Sequence, residues 1–196
     1  MTKTSIAIVY HSGYGHTARQ AEAVKRGVEQ IDGAEALLLS VEEAENRWDD
    51  LAAAEAIIFG SPTYMASVSA PFKAFMDATS NAVFAKDFAW KNKIAAGFSN
   101  SASRSGDKLA TITQLALFAA QHGMHWVSLG LPPANNSSTG SEEDLNRLGI
   151  FLGAGAQSNA DEGADVAPPV ADLRTSEYLG RRVAETTLQF VRGRAA

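Results

Sequence analysis

The chain has 196 residues, 45% of them apolar and 20% charged, with a formal net charge of -5. That is enough for a single domain over 1–196, burying roughly 70% of its unfolded surface. The absence of cysteine excludes disulfides, thiolate nucleophiles and thiolate-held metals. The mild acidity and the lack of any dense Lys/Arg cluster argue against nucleic acid and anionic membranes as partners. Met1–Ser5 with the apolar run behind it reads as too short for a signal peptide, and no apolar stretch approaches the roughly 20 residues of a membrane helix. A cytoplasmic protein acting on small molecules is expected.

In chain order, Ser5–Tyr10 is an apolar run without polar alternation, the pattern of a strand buried on both faces. Thr17–Ile31 follows with Ala18, Ala21, Val24, Val28 and Ile31 at helical spacing, and Asp32-Gly33 ends it. Ala36–Ser40 is a second strand, Trp48–Ala53 a helix and Ala56–Gly60 a third strand. Pro71–Thr79 starts a helix with proline in its first turn. Ile94–Ser99 is a fourth strand, Lys108–His122 a helix stopped by Gly123, and Met124–Leu129 a fifth strand. Leu131–Ala171 is rich in small and polar residues, with a short helical piece around Glu143–Leu148, and Arg174–Arg192 is the last helix. Strands alternating with helices predict an α/β fold: a doubly wound, five-stranded parallel sheet with helices on both faces. Ligands of such sheets lie beyond the carboxyl ends of the strands.

The first of those ends carries Ser12, Gly13, Tyr14, Gly15, His16 and Thr17, leading straight into a helix. Free amides and the helix dipole there attract a phosphate, and the two hydroxyls add donors. The bland alternative is a βα turn capped by Thr17. Gly13-x-Gly15-x-x-Ala18 also matches the dinucleotide fingerprint, but the first acids after the second strand, Glu42 and Glu43, come several residues late. No Gly-Lys-Ser/Thr follows, which excludes a Walker loop. After the third strand, Pro62, Thr63, Tyr64 and Met65 can wall a flat aromatic cofactor. After the fourth, Asn100, Ser101, Ala102, Ser103 and Arg104 form a small-residue loop, in which Arg104 reads more readily as a solvated charge than as a ligand.

These segments, taken with His122-Gly123-Met124, resemble the flavodoxin-like NAD(P)H:quinone oxidoreductases of the WrbA type and the NADPH-dependent FMN reductases. The resemblance runs from about Ser5 to Leu129 and resumes in the last helix. It implies a flavodoxin-like fold with FMN as cofactor and NAD(P)H as co-substrate. By the same resemblance Ser12–Thr17 hold the phosphate, Pro62–Met65 and Asn100–Arg104 line the ring, and His122 stands at the ring edge as a catalytic group. Against this, a histidine in the last helical turn is also favoured by the helix dipole alone. The family's Thr-Pro-Thr-Arg-Phe is here Ser61-Pro62-Thr63-Tyr64-Met65, which removes an arginine. Leu131–Ala171 matches the family poorly.

The implied activity is two-electron transfer from NAD(P)H to a quinone or similar flat acceptor, with no metal, in a homo-dimer or homo-tetramer. The alternatives are a flavodoxin-type electron carrier without dehydrogenase activity, an NAD(P)H-dependent flavin reductase, and a nucleotide-binding scaffold without redox work.

Overall fold

The computed structural model describes residues 3–194. Strand β1 (Thr4–Tyr10) leads to helix α1 (His16–Glu29), then β2 (Ala34–Ser40), α2 (Val41–Ala44), α3 (Trp48–Ala53) and β3 (Ala56–Tyr64). A two-residue β4 (Ser67–Val68) turns back on β3 before α4 (Ala70–Thr79), a π-helical turn at Ser80–Phe84 and β5 (Ile94–Ser101). Helix α5 (Lys108–Gln121), β6 (His125–Trp126), β7 (Ala154–Gln157) and α6 (Val170–Arg194) complete the chain. The main path of the sheet is β2-β1-β3-β5-β6, all parallel, with β7 also on β5 and β4 antiparallel to β3. This is a flavodoxin-like doubly wound fold.

Alternation along β1 explains why the sheet needs helices on both sides. Ile6 and Ile8 pack on one face with Val24 and Val28 of α1 and Leu179 and Val183 of α6. Ala7 and Val9 point the other way, into a core built from Leu51 of α3, Phe72 and Phe75 of α4 and Leu115 and Phe118 of α5. Each fully buried Leu, Ile or Phe contributes about 1.5–3 kcal/mol of transfer free energy. Helices α1 and α6 approach to backbone contact at one place. A Cβ on Gly27 would strike the Glu177 carbonyl, and one on Gly180 would strike that of Val24.

Among the described residues the expected five strands are seven, and the difference lies mainly at one edge. Only His125–Trp126 of the predicted fifth strand pairs with β5, at Ile94 and Ala95. The chain then departs over 127–153 and returns as Ala154–Gln157, which pairs with Phe98–Ser101. One edge position is therefore filled by two short strands. Ala154-Gly155-Ala156-Gln157 has no branched or aromatic residue, so nothing in its pattern announces a strand.

The predicted helical piece at Glu143–Leu148 is a set of turns. Asn146, at φ 53, is the hub of these turns: its N–H donates to Thr175 Oγ1 at 2.9 Å, its carbonyl accepts from the Gly149 N–H at 2.9 Å, and its Oδ1 accepts from the Ile150 N–H at 3.0 Å. Two short elements escaped the sequence reading. Helix α2 is held by reciprocal capping between Ser40 and Glu43, and β4 by a hairpin whose tip, Met65 and Ala66, has positive φ at both residues.

Candidate functional site

At the carboxyl ends of β1, β3 and β5 the structure encloses a cavity of about 550 Å³. Ser12, Tyr14, His16 and Thr17 line it from the first loop, Pro62, Thr63 and Tyr64 from the second, and Asn100, Ser101 and Ala102 from the third. Three loops distant in sequence meet because parallel pairing sets β1 beside β3 and β3 beside β5.

The first loop has the features of an anion site. Gly15 sits at φ 87 as the N-cap of α1, a conformation that costs a residue with Cβ about 1–2 kcal/mol. The first turn of α1 carries no acidic side chain. Ser12 Oγ is buried and has no hydrogen-bond partner. An orphaned hydroxyl at a helix N-terminus, inside a cavity, is matched by an anionic oxygen. Thr17, 1% exposed, adds a second hydroxyl to the same wall.

Beneath the second loop, Thr63 Oγ1 lies 2.8 Å from both Ser99 Oγ and Thr111 Oγ1, and Ser99 Oγ donates to the Ser61 carbonyl at 2.8 Å. This hydroxyl chain fixes Thr63. Tyr64 crosses the mouth towards Tyr14, their rings edge to face at 6.2 Å. Its hydroxyl lies close against the Gly13 backbone, leaving no room there for a Cβ. Burial raises the Tyr64 pKa above that of an ordinary phenol, Tyr14 adds to the rise, and the Gly13 amide opposes it. Asn100 Nδ2 donates to Ser158 Oγ at 2.9 Å.

A fourth wall was missed from the sequence. Ser158, Ala160, Glu162 and Gly163, which follow β7, face the cavity. His16 Nε2–H donates to the Glu162 carbonyl at 2.8 Å, and Arg19 donates to that of Ala164. Extending the strand-end rule to the last strand would have found this loop, had β7 been visible.

Four expected residues lie elsewhere. Met65 is 98% exposed at the hairpin tip. Ser103 turns its carbonyl to Lys108, and Arg104 pairs with Glu142 outside the cavity. Arg104 holds the Glu142 carboxyl down to about 2, with Arg147 as a second cause. His122 ends α5 at the opposite end of the sheet, 3% exposed. Its Nε2–H donates to Thr79 Oγ1 at 2.9 Å, and its ring packs 4.9 Å from those of Trp90 and Phe118.

A larger hollow of about 840 Å³ lies between α5 and the 127–153 insert. Its two arginines, Arg104 and Arg147, are already paired with Glu142.

The pattern of the family described as NADPH-dependent FMN reductase matches residues 5–137. The chain belongs to this family. It is an FMN-dependent oxidoreductase that draws on NAD(P)H. Over 181 residues it is 45% identical to "Flavodoxin FldP" of Pseudomonas aeruginosa, covering 90% of this chain and 93% of that one. It is 33% identical to an "NAD(P)H dehydrogenase (quinone)" of Geobacter sulfurreducens, covering 92% and 96%. Among solved structures, a WrbA-like flavodoxin from Agrobacterium tumefaciens superposes with a TM-score of 0.73 at 39% identity, covering 96% and 99%.

Proposed function

We propose that the chain passes two electrons from NAD(P)H to a quinone or similarly flat acceptor, using FMN held in the 550 Å³ cavity. The observation that carries this reading is the Ser12 hydroxyl, buried and unpartnered at the start of α1 where a phosphate oxygen belongs. Ser12, Thr17 and the amides of Gly13–His16 would hold the phosphate. Pro62, Thr63, Tyr64, Asn100, Ser101 and Ala102 would flank the ring. The volume suits a cofactor of this size.

The chemistry that FMN supplies when bound is acceptance of a hydride from the nicotinamide and delivery of two electrons to the acceptor. The residues bind, orient and exclude water. Thr63 is pinned by its hydroxyl chain, and Tyr64 narrows the entrance. His122, at the opposite end of the sheet from the cavity, is left out of the catalytic set.

Releasing the cofactor by heat and identifying it tests the first half. FAD, or no flavin after reconstitution, sinks the reading. Initial rates at several quinone concentrations test the second, because two flat substrates sharing one open cavity should give parallel double-reciprocal lines. The 45% identity to a protein titled flavodoxin favours one second reading, an electron carrier. FMN bound without oxidation of NAD(P)H in the presence of quinone would establish it.

The whole of 1–196 is proposed to act as one folding unit in the cytoplasm. No described helix is long and apolar enough to cross a membrane. Exposed Leu109, Leu117 and Phe151 support assembly into a homo-oligomer, which light scattering checks.

A further inference from the structure

Lys108 opens α5 and has no exposed surface. The placement is unfavourable twice, since the helix dipole repels a cation at this end and burial strips water from the ammonium. Burial pulls its pKa down to about 8; Asp172 of α6 opposes that pull, and Arg147 of the insert adds to it. The compensation is local. Nζ donates to Ser101 Oγ at 2.9 Å, to the Ser103 carbonyl at 2.8 Å and to the Arg104 carbonyl at 2.7 Å. An ammonium has three donors and no acceptor, so this loop alone saturates it.

The loop has few other fastenings. Gln157 Nε2 donates to the Ala102 carbonyl at 3.0 Å, Ser158 N–H donates to the Ser101 carbonyl at 3.1 Å, and Arg104 reaches Glu142. Ser101 and Ala102 face the cavity, so the ammonium stands one hydroxyl behind its wall. A charge in so dry a place acts over several ångströms with little screening.

We propose that Lys108 is a positioning residue for the cofactor: its ammonium fixes the Ser101–Arg104 wall and favours the reduced, more negative flavin over the oxidised one. The inference rests on the FMN reading above. A neutral side chain of similar length would fill the same space without the dipole and burial penalties. Charge is what lysine adds.

The test compares wild type with Lys108→Met, Lys108→Arg and Ser101→Ala, reading FMN dissociation constants and the two-electron midpoint potential. Lys108→Met should weaken FMN binding about tenfold or more, the loss of charge-assisted bonds. Its potential should fall by about 30 mV for each tenfold loss of preference for the reduced form. Lys108→Arg should keep the potential, and Ser101→Ala should weaken binding while leaving the potential in place. Between pH 7 and 9.5 the wild-type potential should drop towards that of Lys108→Met as the lysine loses its proton.

Wild-type binding and potential in Lys108→Met would overturn the proposal while sparing the FMN reading. A wild-type protein that takes up no FMN would overturn both. Should Lys108→Met fail to fold, the wild-type profile decides: a potential with no break in slope around pH 8 ends the idea.

Discussion

The guanidinium of Arg147 meets the carboxylate of Asp172 through two hydrogen bonds of 2.8 Å, Nε to Oδ1 and Nη2 to Oδ2. Both side chains are nearly sealed, at 4% and 2% exposure. Asp172 Oδ2 also accepts from Gln157 N–H at 2.9 Å, so one carboxylate joins α6, the insert and the end of β7. Asp172→Asn leaves a buried cation half paired and should cost about 3–5 kcal/mol. Replacing both partners, Arg147→Met with Asp172→Leu, should recover most of that loss. Urea denaturation of both variants beside the wild type checks the claim, and equal losses in the single and double variants would refute it.

Ser12→Ala should act with opposite signs on the empty and loaded protein. Without cofactor, removing a buried unpartnered hydroxyl relieves a penalty of about 1–3 kcal/mol, so the melting temperature should hold or rise. With cofactor, one donor to a charged phosphate is lost, about 1.5–3 kcal/mol, or roughly 10- to 150-fold in affinity. Thermal melts with and without FMN give both signs from one sample.

Gly15→Ala should be harmful in either state. At φ 87 a Cβ costs about 1–2 kcal/mol, and here it would also lie 2.9 Å from the Ala164 Cβ. The loop from Ser158 to Ala164 would have to lift, which loosens the fourth wall. Lower stability together with weaker FMN binding is the expected result. Weakened stability with unchanged affinity would show that this wall does not hold the cofactor.

His122 is a core residue with a pH signature. Truncation to alanine empties a site between Trp90 and Phe118, for which about 2–4 kcal/mol is the ordinary cost, while FMN affinity should stay within about twofold. Burial lowers its pKa below 6.5, so the folded state keeps it neutral where the unfolded chain is protonated. Stability should therefore fall as pH drops below 6.5, down to the lowered value. Burial also lowers His11, partly offset by Glu42, and adds to the same slope. His122→Phe should flatten the stability–pH curve in that window; an unaltered curve would rule the account out.

The parallel core was legible because Ser5–Tyr10, Ala56–Gly60 and Ile94–Ser99 are apolar on both faces, which only a doubly covered sheet explains. Three of the four cavity walls were legible for the same reason, since strand ends announce where loops converge. The fourth was hidden because Ala154–Gln157 borrows its strand conformation from β5 and not from its own side chains. Lys108 was invisible too: a lysine opening a helix reads as solvated until the loop that captures it is seen. Arg104 was placed towards the cofactor by the family resemblance, and its pairing with Glu142 depends on an insert whose turns no periodicity describes. His122 was misplaced because its motif says nothing about which end of the sheet a helix terminus occupies.

The divided edge strand has a consequence for the nascent chain. Synthesis delivers β1, β3, β5 and α5 first, and β6 can extend the sheet only beside Ile94 and Ala95. Phe98–Ser101 must wait for Ala154–Gln157, and Ser12–Thr17 for the Ser158–Ala164 loop. A ribosome adds about 5–20 residues per second, so the pocket stays open on one side for some seconds after its first three walls exist. A chain released near residue 150 should hold much of the sheet and yet leave the cofactor unbound.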